Sequence, residues 1–266
     1  MRAAAAALIC LIPGGAWAQQ SLGLPPPAPD SPFLYDRQAA VVATSSGYGA
    51  SFSQDVRVRY AEPLWGGRAA IRIETPMVYA RVAGVAAAVG PDTDATAHDG
   101  PHSRRGLAAG DVSARLSALL WAGGTGAVQL FADISAPTGN GMTGAARFIA
   151  SPGLSGIWFP WSRLGVGAQY RHSAGFAGSA AAPRVNLGEL DLFLFWRVLP
   201  GRAWLTLNPT QRFDIARGAM SGGTLRLTAG LRLGENVTAY VRPGLGVGRD
   251  RPYGWSVETG ITFSGL

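Results

Sequence analysis

From Thr224 to Gly248 the chain reads TLRLTAGLRLGENVTAYVRPGLGVG, two apolar runs that keep admitting arginine. Sorted by alternate residues, the stretch is orderly. Leu225, Leu227, Ala229, Leu231 and Leu233 share one face, and Arg226, Thr228, Gly230 and Arg232 share the other. After the turn GEN, Val237, Ala239, Val241, Pro243, Leu245 and Val247 oppose Thr238, Tyr240, Arg242, Gly244 and Gly246. A period of two is that of a β-strand, whose side chains alternate between faces. One face here is wholly apolar and the other is polar or small.

The same alternation recurs along the chain. Val56, Val58 and Tyr60 oppose Arg57 and Arg59, and Ile71, Ile73 and Thr75 oppose Arg72 and Glu74. Val112, Ala114, Leu116 and Ala118 oppose Asp111, Ser113, Arg115 and Ser117. Val128, Leu130, Ala132 and Ile134 oppose Gln129, Phe131, Asp133 and Ser135. Leu164, Val166, Ala168 and Tyr170 oppose Arg163, Gln169 and Arg171, and Leu190, Leu192, Leu194 and Trp196 oppose Glu189, Asp191 and Arg197. Ala203, Leu205 and Leu207 oppose Thr206 and Asn208, and Trp255, Val257, Thr259, Ile261 and Phe263 oppose Ser256, Glu258, Gly260 and Thr262. Residues 40–48 form a weaker first strand, and 148–159 is apolar on both faces, which leaves its phase open.

Short turns fall near 62–66, 121–126, 160–162, 199–202 and 234–236. Longer polar or glycine-rich loops fall near 84–107, 136–147, 174–186 and 213–222, with a moderate one at 247–252. Short turns on one rim and long loops on the other build outer-membrane barrels, and termini on one side require an even strand number. Trp65, Trp121, Trp158, Trp161, Trp196 and Trp204 fall toward the short-turn rim, and Tyr48, Tyr79, Tyr170, Tyr253 and Trp255 toward the other. Indole and phenol rings favour the headgroup level, so two girdles follow. A soluble β-sandwich would not sort tryptophan to one end. The expected fold is all-β: a closed antiparallel transmembrane barrel of about twelve strands, with short periplasmic turns and longer extracellular loops. Its sheet must close because hydrocarbon leaves backbone groups only one another. The leucines face lipid and the arginines face a lumen, since a mid-depth charge on the lipid face costs roughly 2–4 kcal/mol.

The N-terminus agrees. Arg2, the apolar run Ala3–Leu11 and the small-residue site Ala16–Ala18 form a secretory signal peptide over 1–18, too short to span a bilayer. The only cysteine, Cys10, lies inside it, so disulfides and thiolate chemistry are excluded from the mature chain. Residues 19–38 hold too much proline for a ladder and read as a periplasmic segment, with a lumen plug as the alternative. The barrel takes 39–266, and the apolar run 82–90 either extends a strand or folds inward. Net charge is +7, carried by arginine with no lysine, yet no arginine cluster interleaved with aromatic residues points to nucleic acid.

Catalytic and metal patterns carry little. A lipid-deacylating barrel needs serine and histidine within hydrogen-bond reach. His172 and Ser173 are adjacent, so on one strand they point to opposite faces. His98 and His102 sit in a polar, proline-containing loop where their spacing fixes no metal geometry. GLGVG at 244–248 lies in a strand with no helix after it, so it is no dinucleotide loop. The expectation is no enzyme, no metal and no cofactor.

The inward phase supplies the solute path: Arg57, Arg59, Arg72, Glu74, Arg115, Arg163, Arg171, Glu189, Asp191, Arg226, Arg232, Tyr240 and Arg242. Arg197, Asp111, Asp133 and Glu258 share that phase. Most of these can pair across strands, and the surplus is positive, which biases the lumen toward anions. A narrow barrel can also be filled by its own side chains.

Three stretches carry a resemblance. AAIRIETPMVYA at 69–80, AAGDVSARLSALLW at 108–121 and LFADISAPTGN at 130–140 are similar to segments of the outer-membrane transporter family named for the MetA-pathway of phenol degradation. The motif residues are Gly110 and Asp111, then Pro137, Thr138 and Gly139; Asn140 stands where the family has aspartate. The chain also ends in Leu266 rather than an aromatic residue, with Phe263 nearest. The resemblance implies a porin-like outer-membrane barrel importing small hydrophobic or aromatic compounds. Taken together, the sequence predicts a channel for small solutes, aromatic or anionic ones among them. A non-conducting structural or loop-binding barrel is the alternative, ahead of a lipid-modifying enzyme. Expected partners are outer-membrane lipid and lipopolysaccharide, the barrel-assembly machinery during biogenesis, and the small-molecule solute.

Overall fold

The computed structural model describes residues 37–49, 51–82, 104–139, 144–179, 182, 184–215 and 218–266. The expected signal peptide, the proline-rich segment through residue 36, residues 83–90 and both His98 and His102 lie outside them. The strands are β1 (Gln38–Tyr48), β2 (Ser51–Leu64), β3 (Ala69–Val82), β4 (Arg104–Ala109), β5 (Val112–Gly123), β6 (Gly126–Ala136) and β7 (Arg147–Trp161). They continue as β8 (Leu164–Gly178), β9 (Asn186–Leu199), β10 (Ala203–Asp214), β11 (Ala219–Arg232), β12 (Val237–Val247) and β13 (Trp255–Ser264).

Every strand pairs antiparallel with its neighbours, and β1 pairs with both β2 and β13, so the sheet closes. β4 and β5 are two parts of one stave, because both pair with β3. Thirteen segments less that one division make a barrel of twelve. The division falls opposite Pro76, which has no N–H to offer a ladder. Its carbonyl instead accepts the Gly110 N–H at 2.9 Å.

The alternation works as physics requires of a wall with two different solvents. Val41 is 47% exposed on the outer surface and its neighbour Val42 is 1% exposed inside. Val58, Leu116, Leu130, Leu227 and Ile261 continue the exposed apolar belt. Acyl chains solvate such a belt and water does not. The segment 148–159 acquires a phase: Ser151, Gly153 and Ser155 turn inward while Leu154 and Trp158 face out. The first strand begins at Gln38.

The connections depart from the sequence reading in two places. β1 and β2 are joined by residues 49–50 alone, with Gly49 at φ +58 supplying the left-handed turn. β10 and β11 stay paired out to Asp214 and Ala219, so the loop expected over 213–222 is mostly ladder. The alternation there is obscured by Gly218, Gly222 and Gly223.

Trp65, Trp121, Trp158, Trp161 and Trp196 are exposed on the outer surface, but Trp204 is only 8% exposed and points inward. It shares the phase of Thr206 and Asn208, and phase outweighs height on the wall. Its ring lies on Gly230, its direct cross-strand partner. Phe131 on Gly153 and Tyr240 on Gly260 repeat the arrangement, again as register partners. In all three pairs a Cβ on the glycine would stand within 2.4 Å of a ring atom, so glycine is required there.

Candidate functional site: the charged lumen

Two walls of the lumen carry most of the polar side chains. On the first, built from β12, β13, β1, β2 and β3, Arg57 is the hub. Its Nε donates to Asp55 at 2.5 Å, and its Nη atoms reach Glu74 and Glu258, each at 3.5 Å, and Thr44 at 2.6 Å. Arg59 donates to Glu74 from Nε at 2.9 Å. Arg242 donates to Glu258 at 2.8 Å and to the Thr228 hydroxyl at 2.8 Å, and the Tyr240 hydroxyl donates to Glu258 at 2.7 Å. These contacts follow from register: Arg59 lies directly across from Glu74, and Arg242 from Glu258. Cross-strand pairs of opposite charge are the elementary stabilising unit of a sheet face.

The second wall, built from β8 to β11, mixes charge with neutral partners. Arg226 donates to Asn208 at 2.5 Å, Thr210 at 3.1 Å and Asp191 at 3.2 Å. Gln169 donates to Asp191 at 3.4 Å, and Asn208 donates to the Leu192 carbonyl at 2.7 Å. Arg171 and Arg212 converge on Glu189, at 2.5 and 3.3 Å.

At the edge of the first wall, where β3 meets β5, stand Arg72 and Arg115. Arg115 is buried, donates twice to Asp133 at 2.6 and 2.7 Å, and lies 4.2 Å over the Phe131 ring. Arg72 makes no hydrogen bond or ion pair with any described residue. A cavity of about 200 Å³ opens in the lumen, and both walls line it. Its charged lining is Arg59, Arg72, Arg115, Arg171, Arg226 and Arg242 against Glu189 and Asp191. Shared lining by opposite walls marks a narrow bore, as expected when side chains nearly fill a barrel.

Of the solute-path residues read from sequence, Arg57, Arg59, Arg72, Glu74, Arg115, Arg171, Glu189, Asp191, Arg226, Tyr240 and Arg242 lie in this interior. Arg163 and Arg232 do not. Arg163 is exposed in the turn between β7 and β8, and Arg232 is exposed at the end of β11. Alternation assigns a face only while a strand has two different sides, and at the rim both are wet. Arg197 reaches only the short-turn mouth, lying 5.0 Å over Phe159 and donating to the Ser162 carbonyl at 3.1 Å. Sequence reasoning passed over Asp55, Arg212 and the inward ring of Phe159, and it set Trp204 in the girdle. The acid partners were within reach of hairpin arithmetic. Arg115–Asp133, Arg171–Glu189 and Tyr240–Glu258 are each 18 residues apart, and Arg242–Glu258 is 16 apart.

The motif residues form a separate structure. The Thr138 hydroxyl donates to the Gly110 carbonyl at 2.8 Å and accepts the Val112 N–H at 2.9 Å. Asp111 accepts the Gly139 N–H at 2.9 Å and the Ala145 N–H at 2.6 Å. One carboxylate thus holds both ends of the loop that follows β6, directly over the β4–β5 break. At the short-turn mouth, Arg37 forks onto Glu62 at 2.6 and 2.7 Å. The His172–Ser173 pair does not form: Ser173 shares a hydrogen bond with Ser151 at 2.8 Å on the inner face, and His172 sits on the opposite one.

No family model and no curated protein matches the chain. Solved structures do. An outer membrane channel, COG4313, from Pseudomonas putida F1 is 15% identical, with TM-score 0.64 over 86% of this chain and 95% of that one. The NanC porin is 11% identical, with TM-score 0.55 over 85% and 98%. The KdgM porin is 9% identical at the same TM-score and coverage. The β domain of the Bordetella autotransporter BrkA also superimposes, at 16% identity and TM-score 0.51 over 86% and 98%. This chain has the fold of outer-membrane barrels. The short motifs that resemble the phenol-degradation transporters are not matched at the level of a family.

Proposed function

We propose that the protein is an outer-membrane channel for small solutes that favours anions, aromatic acids among them, and that it belongs with the MetA-pathway transporters. The observation that carries this is the lumen cavity, where six guanidinium groups meet two carboxylates. A low-dielectric wall focuses the field of such an excess and concentrates counter-ions along the bore. The porin likenesses support a conducting barrel, and the family resemblance supports aromatic solutes. Liposome swelling with matched neutral, cationic and anionic solutes tests the reading. Anions are expected to enter fastest, and a cation preference would remove it. Export is checked by sequencing the mature N-terminus, expected at Gln19.

The same cavity favours the second reading, a barrel that does not conduct. At about 200 Å³ it is small, and cross-linked side chains surround it. Planar bilayers that stay sealed at saturating protein would select this alternative.

A further inference from the structure

Arg72 breaks the pattern of its surroundings. Each of the six carboxylates at Asp55, Glu74, Asp133, Glu189, Asp191 and Glu258 holds at least one arginine. Arg72 holds none of them. Its cross-strand partners are Ala61 on one side and Arg115 on the other. Like charges directly opposite each other destabilise a sheet. Arg115 is compensated by Asp133, which takes its Nε and Nη2 and leaves Nη1 without a described partner. Two donor edges therefore stand side by side on the wall of the cavity, and no described carboxylate bridges them. Ala61 and Ala40 beside them leave room, and Phe193 adds an apolar surface to the same cavity.

A guanidinium edge matches a carboxylate in plane and in donor spacing, which is the chemistry that favours arginine for this task. We propose that Arg72, with the free edge of Arg115, is the carboxylate-binding subsite of the channel, taking a small monocarboxylate with a compact apolar body. The proposal deepens the channel reading and takes its biological meaning from it, whereas its binding test does not depend on conduction.

The experiment is calorimetric titration of the detergent-solubilised mature protein with benzoate, benzyl alcohol and benzylammonium, paired with bilayer recordings of the same preparations. Benzoate is expected to bind the unmodified protein, and the other two are not. Arg72→Gln is expected to weaken benzoate by about tenfold or more, the loss of one charge-assisted hydrogen-bonded contact. Arg72→Lys keeps the charge without the fork and is expected to fall between. Arg202→Gln, in an exposed turn, is expected to match the unmodified protein. Because Arg72 faces a like charge, Arg72→Gln is expected to melt no lower than the parent. A lower melting temperature would make Arg72 a structural residue and overturn the proposal. So would equal benzoate affinity in parent and Arg72→Gln, equal affinity for benzoate and benzyl alcohol, or no benzoate binding at all. Benzoate binding in a barrel that passes no current would retire the channel reading and leave the subsite standing. Anion-selective current with benzoate affinity insensitive to Arg72 would do the reverse.

Discussion

The two walls of the lumen solve one problem differently. On the first wall, Arg57, Arg59 and Arg242 face Asp55, Glu74 and Glu258, three charges against three. On the second, Arg171, Arg212 and Arg226 hold Glu189 and Asp191, Asn208, Thr210 and Gln169 complete the hydrogen bonding, and Asp214 shares the inward phase at the end of β10. The first is closed in charge, so little of its field reaches the bore. The second reaches its balance with neutral partners as well as acids, and the positive surplus is left to the sector of Arg72 and Arg115 with its single Asp133. Adding arginine does not by itself make a lumen selective. In the proposed channel, selectivity would belong to whichever guanidinium groups the register leaves without an acid.

Glu258→Ala strikes the balanced wall hardest. It leaves Arg57, Arg242 and the Tyr240 hydroxyl without their shared acceptor. Breaking an inward ion network by removing one partner costs about 3–5 kcal/mol. The loss is expected in urea unfolding followed by heat-modifiable electrophoretic mobility. An unchanged midpoint would show that water, and not Glu258, holds that wall. Leu227→Arg comes next, at roughly 2–4 kcal/mol on the outer face. Arginine at the adjacent inward Thr228 is expected to cost less, and equal costs would contradict the assignment of faces. Asp191→Asn is expected to cost about 1–2 kcal/mol, because Arg226 keeps Asn208 and Thr210. Anion preference should rise in that variant, as reversal potentials in a salt gradient would record. The smallest effect is expected from Asp111→Asn, about 1 kcal/mol for weakened amide contacts in the loop clasp. Finally, the anion preference should shrink as salt rises from 0.1 to 1 M, since the screening length falls from about 10 to about 3 Å. A preference indifferent to salt would point to steric selection.

The faces of most strands were legible because period two is local and its cost function is steep: Leu227 outside and Thr228 inside needs no tertiary knowledge. Closure followed from the same alternation together with the distribution of turns. What stayed hidden was non-local. The partition of stave four into β4 and β5 depends on Pro76 of the neighbouring strand, and the loop clasp depends on Asp111 meeting residues 28 and 34 positions away. Trp204 was read by its height on the wall when its phase already placed it inside. Arg163 and Arg232 were read by phase where no phase applies. The isolation of Arg72 became visible only with register, since its downstream hairpin partner lies across the long connection between β3 and β4.

The paired rings and glycines of the inner wall set the calibre of the pipe. Phe131, Trp204 and Tyr240 each occupy volume that a side chain on Gly153, Gly230 or Gly260 would otherwise fill. The rings are inlaid in the lining instead of standing across the bore. Gly153→Ala, which touches no solute, would lift Phe131 and with it the shelf under Arg115. Throughput in the proposed channel would therefore be governed partly by residues that have no side chain at all.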